Sequence, residues 1–206
     1  MGIYSELVLP HLVHFACGLK PIMRQREKVV PLAQGCVLEV GVGSGLNLAY
    51  YDAAKVSRVI GLDPSPEMTR KAARSARGVR FDVVFVNAPA ESIPLASGSV
   101  DTALITYALC TIPDTAPALR EIGRVLKPGG RLVFCEHGRA PDANVRKWQD
   151  RITPIWKRLA GGCHLNRDIP ALIEQGGFRI AAMEIMYLPG WRPATFNYWG
   201  FADLHR

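Results

Sequence analysis

The chain has 206 residues, a length suited to one domain, and its 49% apolar and 21% charged content describes a globular chain rather than a disordered one. Twenty-five Lys and Arg against eighteen Asp and Glu leave a formal net charge of +7, which permits an acidic partner or a membrane surface without demanding either. No uninterrupted apolar stretch of about 18 residues occurs, so no spanning helix is expected, and the N-terminus lacks the basic start, apolar run and cleavage site of a secretory signal.

Five scattered cysteines (Cys17, Cys36, Cys110, Cys135 and Cys163) include no CxxC pair. That usage suits a reducing, cytoplasmic setting and argues against a disulfide framework or a cysteine-based zinc site, so no metal is expected. Residues 1–34 place Leu9, Leu12, Val13 and Ala16 at helical spacing, with Pro10, Pro21 and Pro31 as punctuation. This amphipathic region reads as a lid (1–35) ahead of a core (36–138).

From Cys36 the pattern changes to short apolar runs: CVLEVG from Cys36, RVIGLD from Arg58, FDVVFVNA from Phe81, VDTALIT from Val100 and RLVFCEH from Arg131. Rich in Val, Ile and Leu without strict alternation, they fit parallel strands covered on both faces. Between them, Ser65 and Pro66 mark a helix start with Glu67 in its first turn. A second helix is predicted over 116–127, with Leu119, Ile122 and Leu126 on one face and Gly129 and Gly130 ending it. Residues 144–160 read as a helix interrupted at Pro154, residues 168–175 as a short helix, and 178–188 and 195–204 as closing strands of a single domain, 1–206. The alternation implies a doubly wound α/β sheet whose ligand lies beyond the carboxyl ends of the strands.

The most informative stretch is LEVGVGSG, residues 38–45. A hydrophobic strand runs into Gly41, Gly43 and Gly45, and Leu46 to Ala49 are expected to begin a helix, with Asn47 at its opening. Glycine lets a ligand approach the backbone closely. Asp63, eighteen residues beyond Gly45 at the end of the next strand, can accept two hydrogen bonds from the vicinal hydroxyls of a ribose. Glu39, two residues ahead of the loop, stands where a carboxylate meets a cationic ligand. Leu46 occupies the third-glycine position of the dinucleotide fingerprint, which disfavours a nicotinamide oxidoreductase.

Four blocks in order, LEVGVGSG, GLDPS, APAESIPLASGSVD and VLKPGG, resemble class I S-adenosylmethionine-dependent methyltransferases, in the branch shared with ubiquinone/menaquinone-biosynthesis and phosphatidylethanolamine methyltransferases. The flanking YSELVLPHLVHFACG, EHGRAP and GGCHLNRD are similar to small bacterial methyltransferases related to animal methyltransferase-like thiol S-methyltransferases. The resemblance implies a seven-stranded Rossmann-like sheet with an antiparallel last strand and S-adenosyl-L-methionine as cofactor. It sets Gly41, Gly43 and Gly45 along the methionine and ribose, with Glu39 and Asn47 nearby. Asp63 holds the ribose hydroxyls, Pro64 and Met68 pack near adenine, and Thr106 and Tyr107 border the methyl donor. Many relatives carry an adenine-binding aspartate where this chain has Pro89, which leaves Asn87 or the Ala90 backbone to read the ring.

Methyl transfer needs a nucleophile held in line with the methyl–sulfur bond at roughly 3 Å in a dry site. For a thiol acceptor a base or positive field favours the thiolate. His137, which follows the fifth strand, is the leading catalytic candidate and can equally be a structural hydrogen-bonding residue; His164 is a second, weaker candidate. Cys163 reads as a small, partly buried thiol ahead of the alternatives of a nucleophile or a metal ligand. Trp148, Trp156, Trp191, Tyr198 and Trp199 are divided between core and an apolar acceptor pocket, which favours a small lipophilic acceptor. Arg146, Lys147, Arg151, Lys157 and Arg158 share one helix, as a solvated face or a contact for anionic headgroups; no nucleic-acid motif accompanies them. The expected activity is methyl transfer to a small thiol. The alternatives are N- or C-methylation of a phospholipid headgroup or quinone precursor, and cofactor binding without catalysis.

Overall fold

A computed structural model describes residues 15–205. The amphipathic positions Leu9, Leu12 and Val13 of the expected lid lie outside them. Helix α1 (Lys20–Val29) starts with Pro21 in its first turn and leads through a 3-10 turn into β1 (Gly35–Val40). There follow β2 (Val56–Leu62), α2 (Pro66–Ser75), β3 (Asp82–Val86), β4 (Val100–Thr106), α3 (Thr115–Val125) and β5 (Leu126–His137). The rest is α4 (Ala143–Leu159), α5 (Ile169–Gln175), β6 (Phe178–Tyr187), a single helical turn (Arg192–Thr195) and β7 (Phe196–Leu204).

The described strands form one sheet in the order β3-β2-β1-β4-β5-β7-β6. β1 pairs parallel with both β2 and β4, and β7 runs antiparallel between β5 and β6. Strand order therefore reverses between β1 and β4, which opens a crevice beyond their carboxyl ends. The sheet and its antiparallel last strand are those the resemblance implied.

Adjacent residues of one strand serve opposite faces. Leu38 and Val40 join Ile105, Phe134 and the α3 residues Leu119 and Ile122. Val37 packs with Val59, Leu104 and Val133 against Val29 and Val30 at the end of α1. Each such fully buried aliphatic side chain contributes about 1.5–3 kcal/mol, so both faces of the sheet hold it in register.

Helix boundaries follow their caps. The Ser65 hydroxyl accepts from the Met68 N–H at 3.3 Å and starts α2 as expected, and the Asp168 carboxylate accepts from the Ala171 N–H at 3.2 Å to start α5. Three expectations are corrected. No α-helix follows the glycine loop; the chain makes only the 3-10 turn Leu48–Tyr50, because the Asn47 side chain is turned into the core and Leu48 and Tyr51 are buried beside it. α3 ends at Val125, and Leu126 already pairs with Val100, the KPGG segment bulging out before Arg131 resumes pairing opposite Thr102. α4 runs through Pro154 without a break. The carbonyl that Pro154 cannot bond belongs to exposed Asp150, where water can serve it.

α4 exposes Trp148, Ile155 and Leu159 to the outside. No helix among the described residues is long and apolar enough to cross a membrane.

Candidate active site

The crevice at the strand reversal is a cavity of about 620 Å³. Its floor is the glycine loop, Gly41 and Gly43, and its walls come from Asp63, Pro64, Met68, Ala90 and Thr106. Gly41 has φ +72°, and a Cβ there would lie 2.5 Å from the Ala108 Cβ, so both its backbone shape and its neighbour require glycine. Gly45 lies behind the loop, packed against Leu48 and Ala72.

Asp63 is held by backbone. Oδ2 accepts from the Gly43 N–H at 3.0 Å and Oδ1 from the Ser65 N–H at 2.9 Å. Each oxygen keeps a further lone pair for a ligand hydroxyl. Burial pushes this carboxyl above its ordinary range, against the two backbone N–H donors. The Asn87 amide donates to the Asp63 carbonyl at 3.1 Å and to the Thr69 hydroxyl at 3.0 Å, so it is turned toward α2 and does not line the cavity. Ala90 does line it.

Behind the loop lies a buried polar network. The Arg26 guanidinium, delivered by α1, donates from Nη1 to Asn47 Oδ1 at 2.6 Å and to Thr106 Oγ1 at 2.7 Å. Asn47 Nδ2 donates to Glu39 Oε1 at 2.9 Å and to Thr106 Oγ1 at 2.9 Å, and the Tyr51 hydroxyl donates to Glu39 Oε2 at 2.7 Å. Glu39 is 1% exposed, and burial raises its carboxyl to about 7 against the Tyr51, Arg26 and Asn47 interactions that lower it. Glu39 and Asn47 thus stand behind the cavity wall, while Arg26 and Thr106 reach through to line it.

A second cavity of about 500 Å³ adjoins the first, with Cys17, Met68, Tyr107 and Thr111 lining both. Tyr107 follows β4 in the left-handed region (φ 53°), a strained conformation for a non-glycine residue of the sort that persists where function fixes it. Its hydroxyl donates to Asn197 Oδ1 at 2.8 Å and Arg26 lies over its ring at 5.3 Å. The second cavity is walled by apolar groups such as Leu19, Ile22, Trp156 and Leu188, with Cys110, His137 and Cys163 clustered in its lining.

His137 Nε2 lies 3.1 Å from Cys163 Sγ, to which the Trp156 indole N–H also points at 3.4 Å. His137 Nδ1 is buried with no partner among the described residues. Burial opposes a charge on His137, while the Cys163 sulfur and Glu136 draw its titration above the usual imidazole range. The neighbouring Cys110 thiol and then burial push the Cys163 thiol upward, so it is a neutral thiol rather than a free nucleophile. Glu136 faces away from both cavities and accepts from the backbone N–H groups of Ala108 and Leu109 at 2.7 and 2.8 Å.

The structure brings Gly41, Gly43, Asp63, Pro64, Met68, Ala90 and Thr106 to one cavity and His137 to the next. It does not bring His164, whose Nδ1 lies 3.1 Å from the Cys110 carbonyl oxygen, outside both cavities. Of the five late aromatic residues Trp156 alone lines either of these two cavities. Arg26 and the Cys110–His137–Cys163 grouping were not singled out from sequence, since each partner lies in a different element and no local spacing links them.

The first cavity fits an adenosyl sulfonium on the chain's own geometry: side-chain-free backbone at Gly41 and Gly43, a carboxylate with spare acceptor capacity at Asp63, and room for a nucleoside. A methyltransferase-domain family model matches residues 38–134. Human thiol S-methyltransferase TMT1A is 31% identical over 182 residues, 86% of this chain and 74% of that protein. The demethylmenaquinone methyltransferase of Thermus thermophilus is 32% identical over 160 residues, 75% of this chain and 73% of that protein. Across the human and rat thiol S-methyltransferases that it matches, the chain spans 62% to 74% of their length. A SAM-dependent methyltransferase structure from Methanosarcina mazei superposes with a TM-score of 0.67 at 23% identity, over 91% of this chain and 99% of that one. The chain belongs to the class I S-adenosylmethionine-dependent methyltransferases.

Proposed function

We propose that this enzyme transfers a methyl group to a small lipophilic thiol. The observation that carries the reading is the second, mostly apolar cavity, which shares Cys17, Met68, Tyr107 and Thr111 with the first and holds Cys110, His137 and Cys163 together in its lining. The likeness to thiol S-methyltransferases supports the same acceptor.

The cofactor supplies an electrophilic methyl on a sulfonium sulfur. In this reading Asp63 takes the ribose hydroxyls, Gly41 and Gly43 admit the ligand against backbone, and Ala90 and Met68 border the adenine. Glu39, Gly45 and Asn47 hold the loop and the Arg26 side chain in place from behind. Arg26 offers its guanidinium to the cofactor's carboxylate. Residues 15–22 contribute Cys17, Leu19 and Ile22 to the acceptor cavity, which supports a lid role for the N-terminal region in excluding water. His137 stands at the end where the acceptor's nucleophilic atom is to be held, in line with the methyl donor, so transfer works by orientation and electrostatics without a covalent enzyme intermediate.

A panel of acceptors with methyl-labelled cofactor tests this: aliphatic and aryl thiols, an ethanolamine phospholipid and a demethylated quinol. Label in the thiols is expected. Label in the lipid or the quinol but not in thiols overturns the assignment, and the likeness to the demethylmenaquinone enzyme makes the quinol the pertinent rival. Cofactor binding without turnover on any acceptor overturns catalysis altogether.

A further inference from the structure

Cys110 follows β4, His137 ends β5 and Cys163 follows α4, yet their two sulfurs and the imidazole lie together in the lining of the second cavity. One ligand-capable atom from each falls within 4.8 Å of the other two, with His137 Nε2 and Cys163 Sγ 3.1 Å apart. Tetrahedral zinc, with bonds of about 2.3 Å to sulfur and about 2.0 Å to nitrogen, spaces two sulfurs by about 3.8 Å and a sulfur and a nitrogen by about 3.5 Å. The three groups stand near ligand spacing, within side-chain adjustment of an ion.

Their backbone is fixed by bonds that do not depend on an ion. The Cys110 N–H donates to buried Glu136 at 3.4 Å, and the Cys110 carbonyl accepts from the His164 N–H at 2.9 Å, which ties the loop of Cys110 to that of Cys163. The Cys163 N–H donates to the Ala160 carbonyl at 3.2 Å. The Trp156 indole N–H, directed at Cys163 Sγ, is the kind of outer hydrogen bond that supports a thiolate ligand. The absence of a CxxC pair has no bearing on ligands that the fold gathers from three separate segments.

We propose that Cys110, His137 and Cys163 form a Cys2His site for a zinc-class divalent ion, with an open fourth position toward the acceptor cavity. Three protein ligands and one open position are the pattern of a catalytic rather than a structural zinc site. The fourth position takes the acceptor's sulfur as a thiolate, the thiol proton going to solvent. That sulfur then forms its bond to the methyl carbon as the carbon–sulfonium bond breaks, the bonding pair staying on the cofactor's sulfur. The ion's oxidation state does not change. This use of the ion rests on the thiol reading above; the binding of the ion does not.

The test uses the reduced full-length chain and Co²⁺ as an optical probe for the zinc position. About one Co²⁺ per chain is expected, with thiolate-to-cobalt charge-transfer absorption that Zn²⁺ abolishes by displacement. Cys163→Ala, Cys110→Ala and His137→Gln are each expected to weaken Co²⁺ binding at least about tenfold, while Cys36→Ser leaves it unchanged. Calorimetry with S-adenosylhomocysteine shows which variants remain folded; if Cys110→Ala does not, Cys163→Ala and His137→Gln decide. Absence of the charge-transfer band in the reduced wild type, or its persistence in folded variants, overturns the site. Thiol methylation that continues at full rate after chelation overturns the ion's part in transfer. An ion bound on these ligands with no thiol methylated sinks the thiol reading and leaves the site standing.

Discussion

A single nitrogen of Arg26 donates to both Asn47 and Thr106, at 2.6 and 2.7 Å, so the N-terminal helix is joined to the glycine loop and to the end of β4 through one side chain. Arg26 is 5% exposed, and removing it leaves the Asn47 amide oxygen and the Thr106 hydroxyl without their donor and buried Glu39 without the nearby cation. Arg26→Ala is expected to cost about 3 kcal/mol in stability and to weaken cofactor binding. Urea unfolding and calorimetry measure the two effects. Unchanged stability with unchanged affinity would show that the network is incidental.

The buried Glu39 carboxyl makes stability depend on pH. Its folded value of about 7 lies above the ordinary value of 4.5, so the folded protein binds more protons between the two. Stability from this group is complete below about pH 4.5 and is lost as pH rises toward 7. The loss is on the order of 3 kcal/mol. Glu39→Gln removes it, so wild type is expected to fall relative to the variant between pH 5 and 7.5, a comparison that thermal unfolding at a series of pH values provides. Parallel curves for the two proteins would contradict the burial argument.

Gly41→Ala combines a left-handed backbone with a Cβ only 2.5 Å from that of Ala108. A loss of about 2–4 kcal/mol is expected, together with a lower cofactor affinity because the Ala108 loop must move away from the cavity. Gly78→Ala, whose added Cβ meets nothing within 4 Å, serves as the control.

Asp63 and His137 are expected to separate binding from transfer. If Asp63 holds the ribose hydroxyls as proposed, Asp63→Ala removes two hydrogen bonds worth about 1.5–3 kcal/mol each and is expected to weaken cofactor binding at least about 100-fold. His137→Ala reduces the transfer rate at saturating cofactor with affinity for S-adenosylhomocysteine little changed. Single-turnover rates and calorimetry on both variants check this, and a His137 variant with the wild-type rate removes that residue from the chemistry.

The central strands were legible because short Val-, Ile- and Leu-rich runs such as VDTALIT, too brief for a buried helix, fit parallel strands covered on both faces. Ser65 and Asp168 announced their helices through their own side chains. Three features escaped local rules: the 3-10 turn after Gly45, the helix that persists through Pro154, and the early start of β5 at Leu126. Each is settled by tertiary packing, through the inward Asn47, the burial of Gln149 and Thr153, and the pairing of Leu126 with Val100. That Gly41, Gly43 and Asp63 meet at one cavity was readable because they directly follow two adjacent strands, β1 and β2. Arg26 was not, since its partners lie 21 and 80 residues away. The His137 and Cys163 pairing was hidden for the same reason, at 26 residues.

Tyr107, Met68 and Thr111 form the partition between the two cavities, and on either side of it the walls come from different stretches of chain. In the proposed function the donor's chamber is built by the carboxyl ends of β1 to β4 and the loops that follow them, and the recipient's chamber draws on residues 16–22 and 156–197, which the donor's chamber hardly uses. A lineage can therefore retune what it modifies by altering the C-terminal stretch while its nucleoside seat drifts hardly at all, and an engineer seeking a new recipient has the same freedom.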